Sequence, residues 1–86
     1  MIVQFHRNFK KQYEKLRTIQ DKIDERLVLF VKNQFNPILN NHALSGKYQG
    51  CRSINITGDV RAIYKMLNNE EIAYFVAIDT HSNLYK

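Results

Sequence analysis

Ile72-Ala73-Tyr74-Phe75-Val76-Ala77-Ile78 is apolar without interruption, and the reading of this run decides the fold. As a strand it must be buried on both faces, which places it centrally in a sheet with other elements packed over it. Two further strand-like runs precede it, Cys51 to Thr57 and Val60 to Leu67. Gly58-Asp59 separates the first pair and Asn68-Asn69-Glu70 the second, and gaps this short fit tight antiparallel turns.

Farther upstream, Asn36 to Gly50 is rich in Asn, Gly and Ser and has no sustained periodicity, so it reads as a loop. Leu39 and Leu44 are expected to anchor it to the core. Before Pro37, the positions Ile23, Leu27, Phe30 and Val31 form one stripe of an amphipathic helix, and Phe9, Tyr13 and Leu16 mark an earlier one. The short link from Arg17 to Asp21 makes the two an antiparallel hairpin. Ile2, Val3 and Phe5 open the chain as a β-prone segment. The expected fold is α+β, one domain over residues 1–86. An N-terminal strand and a two-helix antiparallel hairpin lead into a largely antiparallel sheet, with the hairpin covering one face.

A length of 86 residues excludes a two-domain enzyme, and 44% hydrophobic residues exclude a disordered chain. Thirteen Lys and Arg against eight Asp and Glu leave a formal charge of +5, which biases so small a body toward nucleic acid or an acidic protein. With Cys51 as the sole cysteine there is neither a disulfide nor a thiolate zinc site, and a reducing cytosol fits. The start Met1-Ile2-Val3-Gln4 lacks the apolar core of a signal peptide, and no run is long enough to span a bilayer. P-loop, dinucleotide-binding, HExxH and paired CxxC motifs are all missing, which removes support for nucleotide-dependent and zinc-hydrolase readings.

Polar residues with chemical potential collect in the C-terminal half: His42, Lys47, Arg52, Asp59, Arg61, His81 and Tyr85. Paired in simple register, the strands carrying Arg52 and Arg61 would bring two guanidiniums together near the hairpin end, an arrangement that favours phosphate. Asp59 beside Gly58 reads equally as a turn cap. His81 follows the apolar strand at the rim, where loops carry binding groups, and His42 lies in the polar loop, where a solvated turn residue is the plain alternative. Imidazoles near arginines would suit acid and base work at neutral pH. His6 reads as a cap of the first helix, and Lys10, Lys11, Lys15 and Lys22 as solvated helix faces that also suit a phosphate backbone.

From Asn41 to Tyr85 the chain resembles the RelE and YafQ family of bacterial toxins, the YafQ branch more closely. Three segments carry the resemblance. They are Asn41-His42-Ala43-Leu44-Ser45-Gly46, then Arg52-Ser53-Ile54-Asn55-Ile56 through Gly58-Asp59 to Arg61-Ala62-Ile63-Tyr64, and Thr80-His81-Ser82-Asn83-Leu84-Tyr85. The resemblance implies a cytoplasmic toxin of a type II toxin–antitoxin pair. Such a toxin is a ribosome-dependent endoribonuclease that cuts mRNA in the A site by attack of the 2′-hydroxyl, with no metal or cofactor. The implied partners are a cognate antitoxin, the ribosome and mRNA, with operator DNA reached only through the antitoxin complex and no membrane involved.

His42, Asp59 and His81 match the YafQ loop histidine, turn acid and C-terminal histidine. Tyr85 falls where YafQ has an aromatic residue and RelE a tyrosine, and Arg61 and Arg52 correspond to basic residues of the RelE site. Asn55 and Val60 depart from the YafQ pattern, standing where it has a histidine and a tryptophan. The implied roles are His81 as general acid, His42 or Asp59 as base, Arg61 and Arg52 as charge stabilisers, Tyr85 as stacking or orienting group, and Lys47 with Arg52 as RNA contacts. Two alternatives remain at this level: a ParE-like toxin that blocks gyrase by protein contact, and a toxin that keeps antitoxin binding without cleavage.

Overall fold

The computed structural model describes all 86 residues. Strand β1 (Ile2–Phe5) leads into helix α1 (Arg7–Lys15), a 3-10 turn (Arg17–Ile19) and helix α2 (Gln20–Lys32). The sheet continues with β2 (His42–Ala43), β3 (Arg52–Asn55), β4 (Val60–Leu67) and β5 (Ile72–Thr80), and the chain closes with the single helical turn α3 (His81–Leu84). The five strands lie in the order β1-β5-β4-β3-β2. Only the β1–β5 pair is parallel, so the expected α+β architecture with a largely antiparallel sheet holds, with β5 flanked on both sides.

Burial on two faces explains the apolar run in β5. Ala73, Phe75 and Ile78 join the main core beneath the helices, whereas Val76 and Ala77 pack with Ile63 and Leu84 on the second face. The change of face is made by a bulge: Tyr64 pairs with Phe75 and Ile63 with Ala77, leaving Val76 as the extra residue. In the main core Phe30 meets Tyr64 and Phe75 edge to face, with ring centroids 4.8 and 5.2 Å apart, the orientation the ring quadrupoles favour.

Helix α1 starts at His6, whose Nδ1 accepts from the Asn8 amide at 2.9 Å, as the capping reading expects. It buries Phe9. Helix α2 buries Ile23 and Phe30 but leaves Val31 50% exposed, which corrects the stripe read from sequence. At 3.6 residues per turn, Val31 sits about 80° around the helix from Ile23. Within the Asn36–Gly50 loop, Leu39 is fully buried and Leu44 packs on the second-face cluster, so both leucines anchor it as expected. Strand β2 and two 3-10 turns, Pro37–Leu39 and Gly46–Tyr48, lie inside this loop. They are too short to leave a periodic trace.

Tyr64 is fully buried, so its hydroxyl needs a partner. Asn41 supplies it: Nδ2 donates to the Tyr64 hydroxyl at 2.6 Å and to the Gln34 carbonyl at 2.9 Å, while Oδ1 accepts from Arg52 Nε at 2.8 Å. Only this amide orientation satisfies all three bonds. Replacing Asn41 with Ala orphans the tyrosine hydroxyl and is expected to cost about 1–3 kcal/mol, read as a lower urea midpoint. The β4–β5 turn holds Asn68, Asn69 and Glu70 all at positive φ. Asparagine tolerates this region and glutamate does not, so Glu70→Gly should stabilise the protein by up to about 1 kcal/mol in the same assay.

Candidate active site

The second face of the sheet carries the candidate chemistry. Ladder registers place His42, Ser53, Ile63 and Ala77 in one row across β2 to β5, and Asn55, Arg61 and Asp79 in a row beside it. Alternation along β4 turns Arg61 and Ile63 to this face and Val60, Ala62 and Tyr64 to the helices. Over the sheet lie α3, whose Leu84 is buried on Ile63 and Ala77, and the Leu44–Cys51 stretch.

Three of the residues singled out from sequence meet at the β3–β4 turn. The Asp59 carbonyl accepts from the His81 amide at 3.0 Å, tying the start of α3 to that turn. Arg61 folds back on the same turn, Nη1 donating to the Thr57 and Val60 carbonyls at 3.0 and 3.3 Å and Nη2 to the Gly58 carbonyl at 3.1 Å. These acceptors are neutral and leave two of the five guanidinium N–H groups free. Asp79 faces Arg61 in register, yet the only ion pair in the protein is Lys22–Glu25. Asp79 Oδ1 accepts instead from the Thr80 amide at 2.7 Å and Asn83 Nδ2 at 3.1 Å, and Arg61 makes no ion pair. The turn itself is capped by the Thr57 hydroxyl, which accepts from the Asp59 and Val60 amides. The exposed Asp59 carboxylate makes no hydrogen bond of its own, which sets aside its reading as the turn cap.

Tyr85 follows α3, its ring 4.9 Å from that of His81 and edge-on to Tyr48 at 5.4 Å. His42 sits exposed on β2, its Nδ1 2.8 Å from the Asn40 carbonyl. A carbonyl only accepts, so Nδ1 carries the proton and Nε2 of the neutral ring presents a lone pair.

Two residues sit elsewhere than the sequence suggested. Arg52 pairs with Tyr64 rather than approaching Arg61, which lies opposite Asn55. This offset of three residues turns Arg52 to the helical face, where Nε bonds Asn41 and the guanidinium lies 5.5 Å from the Phe35 ring centroid. The two guanidiniums therefore do not converge. Lys47 is tied down as well: its Nζ donates to the Leu84 carbonyl at 3.0 Å and lies over the Tyr48 ring. Of the two departures from the YafQ pattern, Val60 is buried under the helices, and the Asn55 Oδ1 is buried without a partner.

Tyr48 was invisible in the sequence. Its hydroxyl donates to the Leu84 carbonyl at 3.1 Å, so this tyrosine and Lys47 together hold the end of α3 and with it Tyr85 and His81. No group of three or more His, Cys, Asp or Glu side chains is placed to hold a metal ion. Burial, helped by the nearby Cys51 and Asp79, pushes the Tyr48 phenol above its ordinary value; Tyr13 rises too, chiefly through its hydrogen bond to Asp24. A raised phenol pKa means the native state holds the proton more tightly. The stability it contributes is complete below about pH 10 and is lost as pH climbs through the native value. Urea midpoints should therefore fall above about pH 10, and Tyr48→Phe should remove part of that fall while lowering the midpoint at neutral pH.

The fold agrees with comparisons to known proteins. Solved structures similar to this chain include YafQ from E. coli strain BL21(DE3), with a TM-score of 0.83 at 18% identity over 98% of this chain and 97% of that one. The E. coli DinJ–YafQ complex matches at 0.80 and 19% over 98% and 97%. A YoeB/ParE toxin from Agrobacterium tumefaciens matches at 0.78 and 18% over 94% and 99%. No curated protein matches the sequence. The family described as the bacterial toxin of type II toxin–antitoxin system, YafQ, matches residues 1–86, and the chain belongs to that family.

Proposed function

We propose that this toxin is an endoribonuclease acting in the cytoplasm, cutting translated mRNA in the ribosomal A site without a metal. The observation that carries the reading is the joining of His81, Asp59 and Arg61 at one turn, through the His81 amide on the Asp59 carbonyl and the Arg61 guanidinium on the Gly58 and Thr57 carbonyls. An acid, a carboxylate and a cation held in no ion pair then surround one scissile phosphate.

In the reaction the message's 2′-oxygen bonds to the adjacent phosphorus and the bond from phosphorus to the 5′-oxygen breaks. The 2′-hydroxyl proton passes to a base and the leaving 5′-oxygen takes one from an acid, giving a cyclic 2′,3′-phosphate and a free 5′-hydroxyl. His81 serves as the acid. Asp59, with an unengaged carboxylate, and His42, with Nε2 as its basic nitrogen, are the two bases the geometry supports. Arg61 offers its two remaining N–H groups to the charge on the phosphorane, and Tyr85, its ring tilted against that of His81, stacks on or orients a base. Lys47 contributes by holding α3, while Arg52, on the far face, contacts RNA only outside this cleft.

The ribosome supplies the rest of the positioning, since holding the message in a reactive geometry removes much of the entropic barrier. The +5 charge suits both the message and an antitoxin whose acidic or amphipathic segment covers the site. The E. coli YafQ structure solved together with DinJ supports such a partner. Cleavage of a translated message, followed by primer extension, should slow by about 10²- to 10⁴-fold in His81→Ala with folding intact. Wild-type rates in that variant would reject the assignment.

A further inference from the structure

A second feature of the same face stands outside the cleft. Strand β1 ends at Phe5, with the His6 amide on the Phe75 carbonyl, so β5 continues without a strand neighbour on that side. Helix α1 crosses the gap, and Gln12 Oε1 accepts from the Ile78 amide at 3.0 Å. Between α1 and the second face of β5 runs an open groove of about 560 Å³. Lys11 and Lys15 line it from α1, Lys65 from β4, His6 from the start of α1, and Tyr74 and Tyr48 from the sheet side.

We propose that this groove binds a single-stranded RNA segment flanking the cleavage point, an inference that rests on the RNA-cleaving reading above. Its three lysines meet no carboxylate in the lining, and none is in an ion pair. Its aromatic rings lie among the cations: the Lys65 ammonium is 6.0 Å from the Tyr74 ring centroid, and the His6 ring 5.9 Å from it. Cations for phosphates, interleaved with rings for bases, are the combination that single strands use.

Two observations favour RNA over a peptide occupant. Gln12 already takes the Ile78 amide of the β5 edge, which a peptide added as a strand would need. Of two further grooves, the one between α1 and α2 is apolar and carries Glu14 and Asp24, which repel a polyanion, and the one beside Lys22 and Arg26 has no aromatic ring in its lining on which a base could stack. Continuity with the cleft comes through Tyr48, which lines the groove and also holds the Leu84 carbonyl and the Tyr85 ring. A strand seated against His81 and Tyr85 passes over Tyr48 into the basic channel.

The test is fluorescence anisotropy with a short single-stranded RNA, 2′-O-methylated so that it cannot be cut, titrated at several salt concentrations. Neutralising two of the three groove lysines as Lys11→Gln/Lys65→Gln should weaken binding about tenfold and lower the slope of log K against log salt by about 1.4. Arg17→Gln/Lys32→Gln removes the same charge from exposed positions outside the groove lining and should leave binding close to wild type. Equal weakening by both pairs, or no binding by the wild-type protein, overturns the proposal. Groove-dependent binding by a protein that fails to cut a translated message keeps the groove and removes the nuclease reading. Efficient cutting combined with unchanged binding by the groove variant does the reverse.

Discussion

Between the Tyr64–Phe75 and Ile63–Ala77 pairs the β4–β5 ladder skips Val76, and this skip lets one strand supply two apolar clusters. Phe75 and Ile78 face the helices from either side of the bulge, while Val76 and Ala77 both face the other way. A regular strand could place only alternate residues on each face. The helical side receives Phe30, Tyr64 and Phe75 in mutual contact. On the opposite side the cluster is small, Ile63 and Ala77 beneath Leu84, and it is on this patch that the C-terminal turn docks.

A helix of one turn has no stability of its own, because nucleation costs more than a single hydrogen bond returns. Here α3 is held from several directions. Its start is capped by the Thr80 hydroxyl and tied to the Asp59 carbonyl, its end is held by Lys47 and Tyr48, and Leu84 is buried under it. The Asn36–Gly50 loop is therefore structural as well as polar, with Leu39 in the main core and Tyr48 on the C-terminal turn. His81 and Tyr85 inherit their positions from these contacts, so the site is only as ordered as the loop that covers it.

Much of the layout was legible because burial imposes periodicity. The apolar run of β5 announced its central place, and the spacing of Ile23, Leu27 and Phe30 announced α2. Val31 misled because it lies beyond the edge of the buried arc. His6 was readable as a cap because capping is a local bond, from Nδ1 to an amide two residues on. Tyr48 left no local trace, since its partner Leu84 is distant in the chain and a carbonyl can be reached from any direction.

The sequence by itself determined the order of the longer helices and strands, the α+β class and the pool of imidazoles, guanidiniums and carboxylates, all of which follow from side-chain type and short-range spacing. Tertiary structure alone decided which of those groups share a face. Arg52 and Arg61 are parted by a register offset of three residues, and an odd offset sends side chains to opposite sides of a pleated sheet. Strand register is set by packing between segments far apart in the chain, so no inspection of either strand on its own contains it.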